Sequence, residues 1–184
     1  MVVKQIILLF LLFAVLFFTL RIIYSLFSYI FKKQSFAMYV PSFNRHIRLM
    51  KTYLHLTHWK KLVDLWCGDG KVMRFFSSVF GLQCDGYELQ DFPYYYGKLI
   101  NYVLYYPQLK IHHKDFLQAD IKRYDYIYTY LLPQQMAQIE PWIFKNMSTR
   151  AIIISNSFQF AVHKPYEVIK DAKWKPSIFL YKKV

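Results

Sequence analysis

The stretch Val63-Asp64-Leu65-Trp66-Cys67-Gly68-Asp69-Gly70 carries a short apolar strand into a glycine turn, and Val72 to Phe80 then takes up helical spacing until Gly81 stops it. A strand, a tight glycine turn and a helix in that order commit the neighbourhood to alternation, because a parallel strand returns to its sheet only through a crossover. The rest of the chain keeps the rhythm. Lys61 to Trp66 reads as the first strand and Gln83 to Glu88 as the second. Phe92 to Tyr106 is a helix entered through Pro93 and closed by Pro107, and Leu109 to His112 is a brief third strand. Tyr124 to Tyr130 gives a fourth strand and Pro133 to Met147 a helix that opens on proline. Ala151 to Ser155 is a fifth strand, near-continuously apolar as burial on both faces requires. From Glu167 to Val184 the chain has room for two more, joined at Lys175 and Pro176 as a hairpin. Ahead of all these, Phe43 to Leu56 places Ile47, Leu49, Met50, Tyr53 and Leu54 at helical spacing. The class is α/β with a largely parallel sheet.

Composition matters first at the N-terminus. Hydrophobic residues make up 55% of the 184 and charged residues only 19%, more apolar content than a single soluble core needs. The excess lies between Ile6 and Leu20, where no residue is charged, and it resumes after Arg21 through Ile30. As a helix that stretch spans a hydrocarbon layer of roughly 30 Å. A signal peptide shares the basic start and apolar run, but bulky Leu, Phe and Tyr continue where small residues would mark cleavage, so an uncleaved anchor is expected. Arg21 near one end of a tilted helix extends its stem and reaches the headgroups. Lys32, Lys33 and Arg45 outweigh Lys4 and the amino terminus, which puts the following domain on the cytoplasmic side. The expected organisation is an anchor with basic flank over 1–33, a linker and helix over 34–60, and one domain over 61–184. A net charge of +13 suits a neighbouring bilayer surface as partner.

The chemistry is written at the strand ends. Glycines at 68 and 70 let backbone approach a ligand, and the amides opening the next helix attract its anionic end. Glu88 ends the second strand twenty residues beyond Gly68, where a carboxylate accepts hydrogen bonds from both hydroxyls of a ribose. Asp115 and Phe116 follow the third strand: an acid for an adenine amino group and a ring for its face. The order is that of one nucleoside laid across successive strand ends.

With those residues in place the chain resembles the class I, Rossmann-like S-adenosylmethionine-dependent methyltransferases, whose first motif is usually Asp-x-Gly-x-Gly-x-Gly, over Tyr39 to Val184. Within them it is most similar to the membrane-anchored protein-lysine methyltransferases of the ADP/ATP carrier and the ATP synthase c subunit, and to their prokaryotic relatives. Tyr39-Val40-Pro41-Ser42, Gly68-Asp69-Gly70-Lys71 and Gly86-Tyr87-Glu88-Leu89 carry the narrower likeness, with Tyr128-Thr129-Tyr130-Leu131-Leu132-Pro133 and Ser155-Asn156-Ser157-Phe158 downstream. The resemblance implies a seven-stranded methyltransferase sheet and S-adenosyl-L-methionine as cofactor. It implies Asp64, Gly68 and Gly70 around the methionine part, with Trp66 and Asp69 in the same loop. Glu88, followed by Leu89, falls to the ribose, and Asp115 and Phe116 to the adenine. Tyr130 to Pro133 would border the methyl-transfer site. Trp66 departs from the pattern, standing where the family has the loop's first glycine. Its indole either fills part of the cofactor pocket or turns back toward the sheet and leaves the pocket open; the second is the expected arrangement.

The sulfonium of such a cofactor is already activated, so the protein must mainly align a nucleophile and exclude water. A lysine acceptor must also lose its proton, which an apolar or aromatic pocket favours. Tyr130, nearer the C-terminal end of its strand, is the candidate for that pocket wall, and Tyr128 reads as core packing. The Asn/Asp-Pro-Pro-aromatic motif of many nucleic-acid amine methyltransferases is absent, which turns the expectation away from nucleic acid and, with the anchor, toward a membrane-protein substrate. A small-molecule or lipid acceptor, and a non-catalytic binding module on the same fold, are the rival readings. His112 and His113 are adjacent in a strand and cannot share a metal, so no metal is expected, and Cys67 and Cys84 fit reduced thiols. Tyr94 to Tyr96, with Tyr102, Tyr105 and Tyr106, have the chemistry to stack bases or to sit at a membrane interface, but the expected reading is half-buried helix packing.

Overall fold

The computed structural model describes residues 2–31, 42, 44–170 and 177–183, with backbone alone for 2, 3, 26–31 and 177. Lys32 and Lys33, Tyr39 to Pro41, and the segment from Lys173 to Pro176 fall outside the described residues. The chain divides into two units, residues 1–36 and 37–184.

The first unit is one helix, α1 (Val2–Phe31). Its segment Lys4–Ser25 is long and apolar enough to cross a membrane, and none of that segment is buried.

The second unit opens with α2 (Asn44–Tyr53) and continues as β1 (Lys61–Asp64), α3 (Lys71–Phe80), β2 (Gln83–Tyr87), α4 (Asp91–Val103) and β3 (Leu109–His112). Two short 3-10 turns, Phe116–Gln118 and Ile121–Arg123, lead into β4 (Tyr126–Thr129). α5 (Pro133–Asn146), β5 (Ile152–Asn156), β6 (Glu167–Lys170) and β7 (Ser177–Lys182) complete it. The seven strands form one sheet in the order β3-β2-β1-β4-β5-β7-β6. The first five are parallel, and β7 runs antiparallel between β5 and β6. The hairpin expected at the end is therefore folded inward, with its second strand inside the sheet.

Central position explains composition. All four residues of β4 are buried, and Leu62 and Val63 of β1 have no exposed surface. α3 buries Val72, Met73, Phe76, Ser77 and Phe80 on one face and ends on Gly81, whose left-handed φ of 64° lets its N–H close on the Ser77 carbonyl. α5 begins as its proline suggests, with Gln135 accepting the Leu132 N–H at 2.9 Å. Glu140, buried on α5, accepts the N–H groups of Ala161, Val162 and His163 and so fixes the loop after β5. Burial alone would raise its carboxyl, but these bonds and the His163 ring hold it below the ordinary range.

α4 departs from expectation. Tyr94 is half-buried, but Tyr95, Tyr96, Tyr102 and Tyr105 are exposed, and the residues facing the sheet are Pro93, Gly97 and Asn101. Close approach is the reason. A Cβ at Gly97 would lie 2.7 Å from the Asp69 carbonyl oxygen and 2.8 Å from Ile111 Cδ1, so α4 sits directly on the glycine turn and only small residues fit beneath it.

Candidate functional site

The glycine turn leaves β1 at Asp64. Gly68 and Gly70 are left-handed, at φ 56° and 75°, and the Gly70 N–H returns to the Cys67 carbonyl at 2.9 Å. Two acids beneath the turn hold it. Asp64 Oδ1 accepts the Trp66 N–H at 3.2 Å. Glu88 Oε2 accepts the Gly68 N–H at 2.9 Å and Oε1 the Gln90 N–H at 2.7 Å. Asp64 is 2% exposed and Glu88 1%. Burial raises the Asp64 carboxyl to about 7, eased by the Trp66 N–H and reinforced by the charges of Glu88 and Asp69. Burial also raises Glu88, against the pull of its backbone donors.

Other expected residues shape the surroundings. Asp69 accepts the Lys71 N–H and pairs with Arg74 at 3.1 Å, so it braces the turn from outside. Asp115 caps the first 3-10 turn through the Leu117 N–H, and Phe116 behind it is buried. Leu89 is partly exposed and its carbonyl meets His113 Nε2 at 3.1 Å. Pro133 lies exposed in the first turn of α5, outside the cleft lining.

Trp66 does not turn back into the sheet. It lines the cleft together with Asp64, Gly68, Asp69, Lys71 and Tyr130, and its ring meets Phe116 edge-on at 6.0 Å. Phe116 in turn meets Trp142 of α5 at 5.7 Å. The indole thus joins an aromatic chain across the strand ends, and the free space beside it is about 20 Å³, room for about one water molecule.

Behind Tyr128, which lines the cleft, stands a group that sequence reasoning passed over. Asn156, at the end of β5 and without exposed surface, donates through Nδ2 to the Tyr128 hydroxyl at 2.9 Å and lies 3.2 Å from His46 Nδ1. Tyr128 packs its ring on Phe76 at 5.6 Å, as core packing would have it, yet the residue also lines the cleft. Tyr130 lies edge-on to His46 at 5.8 Å and parallel to Phe158 at 6.4 Å. Burial lowers the His46 pKa, helped by Arg45, and raises the Tyr128 hydroxyl, so this wall is uncharged. Lys71 Nζ donates to the Ser42 carbonyl at 3.0 Å and to Asn44 Oδ1 at 2.8 Å, tying the segment before α2 to the glycine turn. Ser155-Asn156-Ser157-Phe158 was the available signal for Asn156. Nothing local marks His46.

The residues fit a nucleoside-bearing methyl donor in kind. Two glycines open the turn, the Glu88 carboxylate has acceptor capacity beyond its backbone amide bonds, and a ring stands at Phe116. The narrow point is the indole of Trp66. Among the described residues no group of three His, Cys, Asp or Glu side chains is placed to hold a metal.

Solved structures share this fold. An RNA methyltransferase from Salinibacter ruber in complex with S-adenosyl-L-homocysteine superposes with a TM-score of 0.66 at 18% identity, covering 78% of this chain and 94% of that one. A putative rRNA methylase from Clostridium thermocellum gives 0.55 at 15%, over 80% and 98%. An S-adenosylmethionine-dependent methyltransferase from Thiobacillus denitrificans with S-adenosyl-L-homocysteine gives 0.56 at 16%, over 66% of this chain and 51% of that one. At these identities the likeness is one of fold, the Rossmann-like methyltransferase fold. No curated protein matches the sequence. A family does: residues 64–167, from the acid that ends β1 to the first residue of β6, match the ANTKMT methyltransferase domain, and the chain belongs to that family.

Proposed function

We propose that this methyltransferase, with S-adenosylmethionine as its donor, methylates a lysine side chain of a membrane protein. The cofactor supplies a methyl group on a sulfonium, already activated for transfer. The chain's own part is binding, alignment and exclusion of water. Asp64, Gly68 and Gly70 would hold the amino-acid portion, Glu88 the ribose, and Asp115 and Phe116 the adenine.

The observation that carries the lysine reading is the pair of uncharged tyrosines in the cleft lining, Tyr128 and Tyr130, backed by the buried His46 and Asn156. An ammonium entering such a wall loses solvation without gaining a counter-charge there, which favours the neutral amine that attacks. The membrane half rests on α1, whose Lys4–Ser25 segment is apolar enough to span. A tether of that kind raises the effective concentration of acceptors in the same bilayer. Nucleic acid is disfavoured by the sequence Tyr130-Leu131-Leu132-Pro133, which offers no amide or acid at the position that holds a base amine.

The test is to incubate membrane fractions with the full chain and methyl-labelled cofactor, then separate protein, lipid and RNA. Label in protein, located on lysine by mass, supports the reading. Label in extractable lipid or in RNA replaces the acceptor, and no label anywhere removes the catalytic claim.

A further inference from the structure

α4 is built inside out. Six residues repeat along one stripe at helical spacing, Phe92, Tyr95, Tyr96, Leu99, Tyr102 and Val103, and all six point outward, between 46% and 84% exposed. The opposite stripe, against the sheet, is Pro93, Gly97 and Asn101. A solvated helix of a soluble domain has the reverse pattern. Single exposed apolar residues are ordinary, but a contiguous aromatic stripe marks a surface that something covers.

Three observations say what covers it. Tyrosines dominate the stripe, and amphipathic rings of that kind collect at the headgroup level of a bilayer. Beside it runs a groove of about 510 Å³ whose lining includes Lys98, Tyr102, Tyr105 and Lys110, two cationic residues among rings, and which is large enough for a phosphate headgroup. The chain length is the third. α1 ends at Phe31 and α2 begins at Asn44, so with α1 in a bilayer the twelve-residue link keeps the domain within about 40 Å of that membrane surface.

We propose that the outer face of α4 lies in the interfacial layer of the bilayer, with its aromatic stripe among the upper acyl chains and Lys98 and Lys110 on anionic phosphates. This rests on reading α1 as a membrane anchor. Because Gly97 presses on the Asp69 carbonyl, the docked face is one helix thickness, roughly 10 Å, from the glycine turn. Docking then fixes the height of the cleft and selects acceptor groups that protrude only slightly from the membrane.

The full chain is reconstituted in phosphatidylcholine vesicles with and without phosphatidylglycerol, bearing one environment-sensitive fluorophore. The label goes on Leu99→Cys, or on Gln134→Cys as an exposed control on α5. Cys67 and Cys84 are buried and do not take it up. The expected result is that the Leu99 probe shifts to the blue and loses intensity severalfold to spin-labelled lipid, more so with phosphatidylglycerol, whereas the Gln134 probe does neither. A further Tyr95→Ser/Tyr102→Ser change, on side chains that stand in solvent, weakens the shift without unfolding the domain. Vesicle flotation separates the two claims. A chain that floats with a water-exposed Leu99 probe overturns the docking alone, and a chain that does not float overturns docking and anchor together. Energy transfer between copies labelled at Leu99, without lipid quenching, assigns the stripe to a second copy and overturns the bilayer.

Discussion

Glu88 Oε2 accepts the Gly68 N–H at 2.9 Å, so a single buried carboxylate joins the end of the second strand to the turn that follows the first. The same group serves the turn's shape and, in the proposed function, the ribose. Glu88→Ala leaves two amides without acceptors, at a cost of about 1–3 kcal/mol each where they stay buried. The melting temperature is expected to fall and the Kd for S-adenosylmethionine to rise at least about tenfold, or about 1.4 kcal/mol, in calorimetric titration. Glu88→Gln should recover part of the stability and little of the affinity.

Asp64 gives opposite signs for stability and binding. Its carboxyl titrates at about 7 in the folded chain against 3.8 for the free group, so the folded state holds the proton more tightly. That contribution to stability is fully present below about pH 4 and is lost as pH rises through 7, at about 1.4 kcal/mol per unit. Affinity for the cationic cofactor should climb over the same upper range as the carboxylate ionises. Urea midpoints and cofactor titrations at about pH 5 and about pH 8 measure both. Asp64→Asn should flatten both trends, and a pH trend that persists in Asp64→Asn belongs to another group.

Trp66 narrows the cleft where a glycine would leave it open. Trp66→Gly is expected to lower the melting temperature, since the edge contact with Phe116 is lost, by about 1–3 kcal/mol of stability. It should tighten cofactor binding several-fold. Weaker binding in this variant would show that the indole is a wall for the bound ligand rather than an obstruction.

Tyr128→Phe removes only the hydroxyl that Asn156 meets at 2.9 Å. The ring contact with Phe76 survives, so the stability loss is expected near 1 kcal/mol. If the hydroxyl orients the acceptor, kcat falls about tenfold or more while the cofactor Kd holds. An unchanged kcat would return Tyr128 to the core.

The sequence made the sheet legible because parallel strands buried on both faces leave unbroken apolar runs, and Leu62-Val63 and Ile152 to Ile154 are such runs. Glycines and prolines set the helix ends at Gly81 and Pro133. The acids near strand ends were legible through chain order alone, since Asp64 ends β1, Glu88 directly follows β2 and Asp115 comes three residues after β3. Burial of Glu88 was not, because it depends on how the turn folds over it. The outer face of α4 misled for a definite reason: periodicity reports that an apolar stripe exists and is silent on what lies against it. The Asn156–His46 contact spans 110 residues of sequence, and neither partner advertises the other.

The position of β7 makes the last described segment of the chain a keystone. Residues 177–182 lie between β5 and β6, with Ile178 and Tyr181 wholly enclosed. A cut or a premature stop ahead of Ser177 does not trim a border; it splits the sheet and uncovers the inner edge of β5. Synthesis runs in the same direction. α1 is made before the sheet and β7 after the other six strands, so the nascent domain keeps β5 unpaired on one side until its closing strand arrives.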